Sequence, residues 1–234
     1  WDKKRKDGYT QDLTKVKQKK FYEAMLAQNY DDRKAELKFP CFSQMKLDGV
    51  RCLIRQEDGE IIARTRNGRQ IDTIPHVINK LKLFFQLHPN TILDGELYNH
   101  EFKEDFNKII SLVRKQKPAR AKSDTDNSFE KKLDKFKDSL EESKESIQYW
   151  VYDAPRIASA SETIPFSIRM AHLENAFSEN KVIKVVQTLE VFHEENLNSI
   201  YEGYLEEGFE GQMVRVDAPY ENKRSKNLLK RKEF

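Results

Sequence analysis

Met45-Lys46-Leu47-Asp48-Gly49-Val50-Arg51 is the stretch that decides how the rest of the chain is interpreted. Its alternation predicts an extended strand with Lys46 and Asp48 on one face, and Gly49 then lets the backbone bend or approach a ligand closely. A lysine there can be a nucleophile only as the free amine. Its ordinary pKa of about 10.4 must therefore be lowered by burial or by neighbouring cations. Alone, the stretch is more typical of a solvated surface pair than of a catalytic site.

Four further short motifs follow this stretch in order. They are Leu93-Asp94-Gly95-Glu96-Leu97-Tyr98, Tyr149-Trp150-Val151-Tyr152-Asp153, Glu210-Gly211-Gln212-Met213-Val214-Arg215 and Leu229-Lys230-Arg231-Lys232. Together the five motifs resemble the ordered motifs of the covalent nucleotidyltransferases, and among these the ATP-dependent DNA ligases of the phage and viral type. The resemblance runs from Cys41 to Lys232. Five motifs in the right order are a far more specific signal than any one of them.

The composition describes a globular chain with a highly charged surface. Of its 234 residues, 38% are hydrophobic and 35% are charged, and the length suits one large domain or one domain with an appended segment. The net charge of +3 hides an uneven distribution. Residues 223–232 include six cations and no acid, whereas residues 202–210 include four glutamates and no base. The local basic segment, rather than the overall balance, is what would attract phosphate.

Cysteine content and hydropathy predict the cellular location. Cys41 and Cys52 do not form a disulfide framework, and no spacing of cysteines or histidines indicates zinc. The apolar runs are too short to span a bilayer, and the start lacks the apolar segment of a signal peptide. We expect a soluble monomer without membrane partners that acts in the cytoplasm, which would be that of the host cell if a phage encodes it.

Turn dipeptides and residue alternation predict an antiparallel meander that has Lys46 on its first strand. Its predicted strands are 40–51, 52–56 and 60–66, with tight turns at Asp58-Gly59 and Asn67-Gly68. Apolar residues at helical spacing over 21–26 predict a short helix ahead of the meander. Beyond it, helices are expected over 74–87, 102–115, 169–177 and 196–207. Strands are expected over 92–98, 148–152, 182–188, 209–216 and 227–232, with Pro155 preventing continuation of the second.

These elements predict an α+β fold in which antiparallel sheets flanked by helices form a nucleotide cleft. The resemblance implies a nucleotidyltransferase, or ATP-grasp-like ligase, fold over residues 21–234, preceded by an arm or leader at 1–20. Residues 117–146 form a charged insertion, which we interpret as a linker and an amphipathic helix packed on the body rather than a DNA clamp.

Chains of the resembling family continue into an OB-fold domain that carries an Arg-x-Asp-Lys motif. This chain begins at Trp1 and stops at Phe234, so we expect a fragment from which that C-terminal domain is absent. We therefore expect it to bind ATP, or to carry AMP already, and to show weak first-step turnover and weak nick sealing.

The resemblance also implies roles for individual residues. Lys46 is the expected nucleophile, and Lys230 and Lys232 are the expected cations on the α-phosphate, which makes these three the catalytic candidates. Glu96 and Glu210 are the candidate Mg²⁺ ligands, and hard oxygen donors suit that ion. The expected nucleotide-binding residues are Gln44, Lys46, Asp48, Arg51, Arg66, Glu96, Tyr152, Glu210, Lys230 and Lys232, with Tyr152 stacking on the purine.

A second set of residues is expected to contact nucleic acid. Arg64 and Arg66 belong to the end of a predicted strand, and Lys108, Arg114 and Lys115 belong to the helix predicted over 102–115. Exposed arginines on strands are commonplace, so the sequence leaves both readings of Arg64 and Arg66 open.

The implied reaction is formation of a lysyl-AMP adduct on Lys46 from ATP, followed by sealing of nicked duplex DNA in replication, repair or recombination. An RNA ligase and an mRNA-capping guanylyltransferase share this chemistry. Capping enzymes usually have Asp-Gly where this chain has Glu210-Gly211, which weighs against the second. A non-catalytic nucleic-acid-binding module is the alternative of another class. It would not explain Asp94, Glu96 and Glu210, because carboxylates repel phosphate unless a cation intervenes.

Overall fold

The computed structural model describes residues 21–157, 163–177 and 180–232, and the expected N-terminal arm lies outside these ranges. Ten strands within the described residues form two five-stranded sheets. The strands are β1 (Leu26–Asn29), β2 (Cys41–Lys46), β3 (Val50–Glu57), β4 (Glu60–Thr65), β5 (Ile92–Tyr98), β6 (Gln148–Arg156), β7 (Ile183–Val185), β8 (Leu189–Val191), β9 (Gly211–Arg215) and β10 (Arg224–Lys232). The α-helices are α1 (Pro75–Leu87), α2 (Phe106–Arg114), α3 (Asp126–Ser146), α4 (Phe166–Ala176) and α5 (Glu194–Glu206).

The first sheet has the strand order β1-β10-β9-β2-β8, and the second has the order β4-β3-β5-β6-β7. Most neighbouring strands are antiparallel, whereas β1 with β10 and β6 with β7 are parallel. This arrangement confirms the predicted α+β class with mainly antiparallel sheets. None of the described helices combines the length and the apolar character needed to cross a membrane.

The predicted meander around Lys46 is wrong in one respect, because β2 and β3 belong to different sheets. Lys46, the last residue of β2, pairs with Gly211 on β9, whereas Val50 begins β3 and pairs with Leu97 on β5. The chain crosses between the sheets at Gly49, where a Cβ atom would lie 2.4 Å from the carbonyl oxygen of Leu97. Only glycine fits this close approach. Since the chain passes from the first sheet to the second between Lys46 and Val50, Lys46 lies where the two sheets meet.

Three other elements differ from the sequence prediction. The expected helix over 21–26 is wrong, because Leu26–Asn29 is strand β1, aligned with β10. Strand β6 continues through Pro155, which is tolerated because β7 covers β6 only at Tyr149–Val151 and leaves an open edge beyond. The strand expected over 182–188 is shorter than predicted and covers only Ile183–Val185, while β8 in the other sheet was not predicted.

The main core lies between the second sheet and the helices around it. Leu81 and Phe85 of α1 and Ile109 of α2 are almost completely buried against it. Helix α3 confirms the amphipathic helix predicted within 117–146, and the Thr125 side chain accepts a hydrogen bond from the backbone nitrogen of Ser128 at its start. Its apolar side chains, Phe129, Leu133, Phe136 and Leu140, are only partly buried. Small serines instead occupy the fully covered positions, which are Ser139, Ser143 and Ser146.

Candidate active site

A cleft of about 700 Å³ lies between the two sheets. Strands of the first sheet contribute Gln44, Lys46, Lys230 and Lys232 to its wall, and the second sheet contributes others from β3, β5 and β6. Nine of the ten expected nucleotide-binding residues line this cleft: Gln44, Lys46, Arg51, Arg66, Glu96, Tyr152, Glu210, Lys230 and Lys232. The structure thus brings together side chains that are up to 188 positions apart in sequence.

Glu210 lies between two of the cleft lysines. Its carboxylate forms an ion pair with the Nζ atom of Lys46 through Oε2, and its Oε1 lies 3.8 Å from the Nζ atom of Lys232. The backbone holds this arrangement, because the amide nitrogen of Glu210 donates to the carbonyl oxygen of Lys46 at 3.1 Å. At Gly211 the φ angle is +147° and a Cβ atom would lie 2.2 Å from the Arg231 carbonyl oxygen, so glycine is required there.

Arg51 is held by a buried carboxylate of the neighbouring strand. Its Nε and Nη2 atoms donate to Oδ1 and Oδ2 of Asp94 at 2.9 and 2.5 Å, a bidentate pair. Asp94 is completely buried and also accepts a hydrogen bond of 2.7 Å from the hydroxyl of Tyr220. One edge of the Arg51 guanidinium is therefore committed to protein, while the side chain lines the cleft.

Glu96, on β5, lines the cleft and is partly covered. Burial raises the pKa of Glu96 to about 8, although the positive charges of Arg51 and Lys46 act in the opposite direction. The hydroxyl of Tyr152 lies 3.4 Å from its Oε2 atom and can donate to it. A carboxyl in this setting takes up a proton more readily than an exposed one and can then also donate a hydrogen bond.

The ring of Tyr152 lines the cleft close to two guanidinium groups. The Cζ atoms of Arg51 and Arg215 lie 5.7 and 5.6 Å from the ring centroid, which is within the range of cation–π attraction. Two further contacts fix the surroundings of the ring, because Gln44 donates to the Tyr152 carbonyl oxygen at 3.1 Å and accepts from Arg215 at 2.8 Å. The predicted stacking residue is therefore part of the cleft wall.

Asp153, next to this ring, is fully buried and paired with two arginines. Arg169 donates to both of its oxygens, at 2.7 and 3.1 Å, and the Nη1 atom of Arg215 donates to Oδ2 at 2.7 Å. Burial alone would raise the pKa of Asp153, but Arg215 and Arg169 outweigh it and lower the pKa below its ordinary value. The sequence reasoning missed both arginines, and it also missed Tyr220. These residues lie on a helix, a strand and a loop, and a single buried polar residue in any of these carries no periodic signal that identifies its partners.

Asp48 differs from the expectation that it shares a strand face with Lys46. Strand β2 ends at Lys46, and the exposed Asp48 lies in the crossing segment and does not line the cleft. Partial desolvation of its carboxyl group, and then the charge of Glu210, raise the pKa of Asp48, while Lys46 and Lys232 oppose them. Asp48 therefore acts electrostatically on the lysine end of the cleft from outside it.

The residues expected to contact nucleic acid are in two environments. Arg66 and Arg114 line the cleft, but Arg64 forms a bidentate pair with Glu57, at 3.0 and 2.7 Å. The hydrogen bond from Arg64 is the main reason that the pKa of Glu57 is lowered to about 2. Burial of the carboxylate acts in the opposite direction but is the smaller effect.

The two lysines of this set are directed towards α3. The Nζ atom of Lys108 lies 3.9 Å from Oε1 of Glu142 and 4.3 Å from the ring centroid of Phe102. The Nζ atom of Lys115 donates to the Ser139 hydroxyl at 2.6 Å. Of the three expected contact residues in this region, Arg114 is thus the one that lines the cleft.

Comparisons with known proteins show that this chain is similar to DNA ligases. A family model described as the ATP dependent DNA ligase domain matches residues 24–232. The DNA ligase of Enterobacteria phage T6 is 27% identical over 234 residues, and the alignment covers 89% of this chain and 48% of that protein. The DNA ligase of Enterobacteria phage T4 matches to the same extent. The chain thus spans about half the length of the curated relatives it matches.

A solved structure is similar in fold. The Chlorella virus DNA ligase-adenylate has a TM-score of 0.61 and 21% sequence identity, with 91% of this chain and 67% of that chain covered. At this identity the likeness concerns the fold, and it extends over both sheets that form the cleft.

Proposed function

Because the chain belongs to the family of ATP-dependent DNA ligase domains, we propose that it transfers AMP from ATP to Lys46 as the first step in sealing nicked duplex DNA. The position of Lys46 carries this proposal. Its amine lies in a cleft that also holds two further lysines, two carboxylates and an aromatic ring, all predicted from motifs. A pure binding surface for nucleic acid would not need Glu96 and Glu210 among its cations.

In the proposed step the Nζ atom of Lys46 attacks the α-phosphorus of ATP in line. A nitrogen–phosphorus bond forms while the bond from phosphorus to the pyrophosphate oxygen breaks, so pyrophosphate leaves with its electron pair. Lys46 must first lose one proton and its ion pair with Glu210, since an ammonium group has no electron pair to donate. Lys230 and Lys232 would stabilise the negative charge that builds on the phosphate oxygens.

The remaining cleft residues would orient the nucleotide. Tyr152 would stack on the purine, and Arg51 and Glu96 would contact the ribose or the phosphates, since all three line the same wall. Gln44 and Arg66 would bind the nucleotide from the other parts of the cleft wall. Asp48, outside the cleft, would orient the segment that carries Lys46. Positioning and electrostatics would then supply most of the rate enhancement.

Glu210 and Glu96 would hold Mg²⁺ in this proposal. The described residues contain no cluster of three or more acids or histidines suited to a metal, but Mg²⁺ is commonly bound by one or two carboxylates together with substrate phosphates and water. Both side chains line the cleft and are partly exposed; in this proposal Glu210 would bind the ion directly, whereas Glu96 would act through water or the ribose. The ion would supply positive charge to the phosphate oxygens.

The later steps of the proposal involve DNA. AMP would pass from Lys46 to the 5′-phosphate of a nick, and the 3′-hydroxyl would then attack that phosphate and release AMP. Arg66 and Arg114 would contact the DNA backbone at the cleft. Lys108 and Lys115 could do so once released from α3, and Arg64 only if its pair with Glu57 opens. We place this activity in the cytoplasm, in replication, repair or recombination.

Intact-mass measurement after incubation with ATP and Mg²⁺ tests the proposal. We expect an added AMP on the wild type and none on Lys46→Ala, while Lys38→Ala, an exposed lysine ahead of β2, is the matched control and keeps the adduct. An adduct of unchanged yield on Lys46→Ala would rule the scheme out. Parallel reactions with GTP in place of ATP, and with nicked RNA in place of nicked DNA, separate it from capping and RNA-ligase activities.

A further inference from the structure

The phenol of Tyr220 lies at a junction of four segments beside the cleft. Tyr220 is 7% exposed and belongs to the loop between β9 and β10 in the first sheet. Its hydroxyl oxygen lies 2.7 Å from the backbone nitrogen of Met25, 2.7 Å from Oδ2 of Asp94 and 3.3 Å from Nη2 of Arg51. The loop of one sheet is thus hydrogen-bonded to a carboxylate and an arginine of the other.

The chemistry of the partners fixes the direction of each hydrogen bond. A backbone N–H and a guanidinium can only donate, so the hydroxyl accepts from Met25 and Arg51 with its two lone pairs. Its single proton is then left for Asp94, whose carboxylate can only accept while ionised. Every hydrogen-bonding position of the hydroxyl is therefore used, and phenylalanine at this position would remove all three contacts together.

These contacts determine which way the Arg51 guanidinium faces. Asp94 binds Nε and Nη2 of Arg51, and the Tyr220 hydroxyl contacts Nη2 as well. Among the residues that the structure describes, Nη1 has no hydrogen-bond partner, and Arg51 lines the cleft. The planar group is held along one edge, and its remaining amino group is left for a ligand.

We propose that Tyr220 is a positioning residue for the nucleotide. Through Asp94 it holds the Arg51 guanidinium in the orientation in which Nη1 meets the sugar or a phosphate of the bound nucleotide. This inference rests on the proposed function, namely that the cleft binds ATP. Arg51 would make this contact before and during the chemical step alike, so its loss weakens binding of the nucleotide without slowing the step at saturation.

A double-mutant cycle on Tyr220 and Arg51 tests the inference, with AMP affinity measured by calorimetry. For Tyr220→Phe we expect AMP binding to weaken by about tenfold, as for loss of a hydrogen bond in a charged network. The ATP concentration that half-saturates adduct formation should rise to a similar extent, while the saturating rate stays within about twofold. Unchanged AMP affinity in Tyr220→Phe would overturn the inference.

The coupling between the two residues separates positioning from a general structural role. In an Arg51→Lys background, adding Tyr220→Phe should change AMP affinity by less than about twofold, because the guanidinium to be oriented is gone. Additive losses would overturn the inference. Should Tyr220→Phe not fold, Asp94→Asn replaces it in the same cycle, because it alters the other end of the same hydrogen bond, and the same coupling is expected.

Tyr149→Phe is the matched control. Tyr149 is also buried in the second sheet, but its hydroxyl donates to the carbonyl oxygen of Cys52 at 3.0 Å and does not contact Arg51. We expect the Tyr149→Phe variant to bind AMP as tightly as the wild type, even if the substitution lowers the free energy of unfolding. If the wild type binds AMP and the cycle shows coupling between Tyr220 and Arg51, but no adduct forms, the positioning role of Tyr220 is supported and the proposed AMP transfer is wrong. If the wild type forms the adduct but the cycle shows no coupling, the proposed AMP transfer is supported and the positioning role of Tyr220 is wrong.

Discussion

Asp94 on β5 and Asp153 on β6 are direct cross-strand neighbours, and both side chains are completely buried. Like charges opposite each other on adjacent strands repel, and burial adds a desolvation cost. Each carboxylate has its own arginines, namely Arg51 for Asp94, and Arg169 and Arg215 for Asp153. The two pairs hold Arg51 and Arg215, the guanidinium groups that lie near the Tyr152 ring, so stability and the shape of the cleft depend on the same contacts.

Replacing Asp153 by alanine should destabilise the fold strongly. Arg169 and Arg215 would remain as buried cations without a counter-ion, and removal of one partner from such a pair costs about 3–5 kcal/mol. Urea unfolding followed by circular dichroism measures the difference. Asp138→Ala, an exposed acid on α3, is the control and should change stability by no more than about 0.5 kcal/mol. Equal effects of the two substitutions would show that the buried pairs are not needed for stability.

The raised pKa of Glu96 predicts a pH dependence of stability. With a folded-state pKa of about 8 against an ordinary 4.5, the folded chain binds more protons than the unfolded chain between these values. The contribution of Glu96 is therefore favourable at low pH and is lost as the pH rises from about 4.5 through about 8. Glu96→Gln cannot ionise, so it should stabilise the nucleotide-free chain relative to the wild type at pH 8 and show little difference at pH 5. A difference that does not depend on pH would contradict the assignment.

Residues that belong to contiguous motifs could be selected from the sequence alone. Lys46, Glu210 and Lys232 are each identified by their neighbours in sequence, and the fold brings them together at one end of the cleft. Sequence reasoning failed where sheet assignment decided the outcome, because alternation near Gly49 does not reveal that β2 and β3 separate into different sheets. It also could not find Tyr220, since a single aromatic residue in a loop shows nothing of its distant partners.

Arg64 and Arg66, two residues apart in the chain, lie in different environments, because Arg64 is paired with Glu57 and Arg66 lines the cleft. Arg66→Ala should weaken binding of nicked DNA and reduce the slope of its salt dependence by about one, because it would remove one phosphate contact. Arg64→Ala should leave that slope unchanged and cost about 1 kcal/mol of stability or less, because it removes a pair with Glu57 that is only partly covered. Fluorescence anisotropy over a series of salt concentrations and thermal unfolding give the two readouts. The reverse pattern would mean that Arg64, and not Arg66, contacts phosphate.

Replacing Gly49 or Gly203 by alanine should change the stability of the fold in opposite directions, because the space around the two glycines differs. At Gly49 a methyl group would lie 2.4 Å from the Leu97 carbonyl oxygen and 2.8 Å from Cγ of Glu96, so Gly49→Ala must push the crossing segment away from β5. We expect a loss of about 1–3 kcal/mol of stability and slower AMP transfer to Lys46, because the lysine moves with the segment. At Gly203, within α5, the described residues place no atom within 4 Å of the added methyl group apart from the neighbouring backbone of the helix itself, and Gly203→Ala should stabilise by about 1 kcal/mol. Chemical unfolding of both variants measures the change in stability, and their adduct yield measures AMP transfer to Lys46. Normal adduct formation by Gly49→Ala would mean that close packing of this crossing is not what positions the nucleophile.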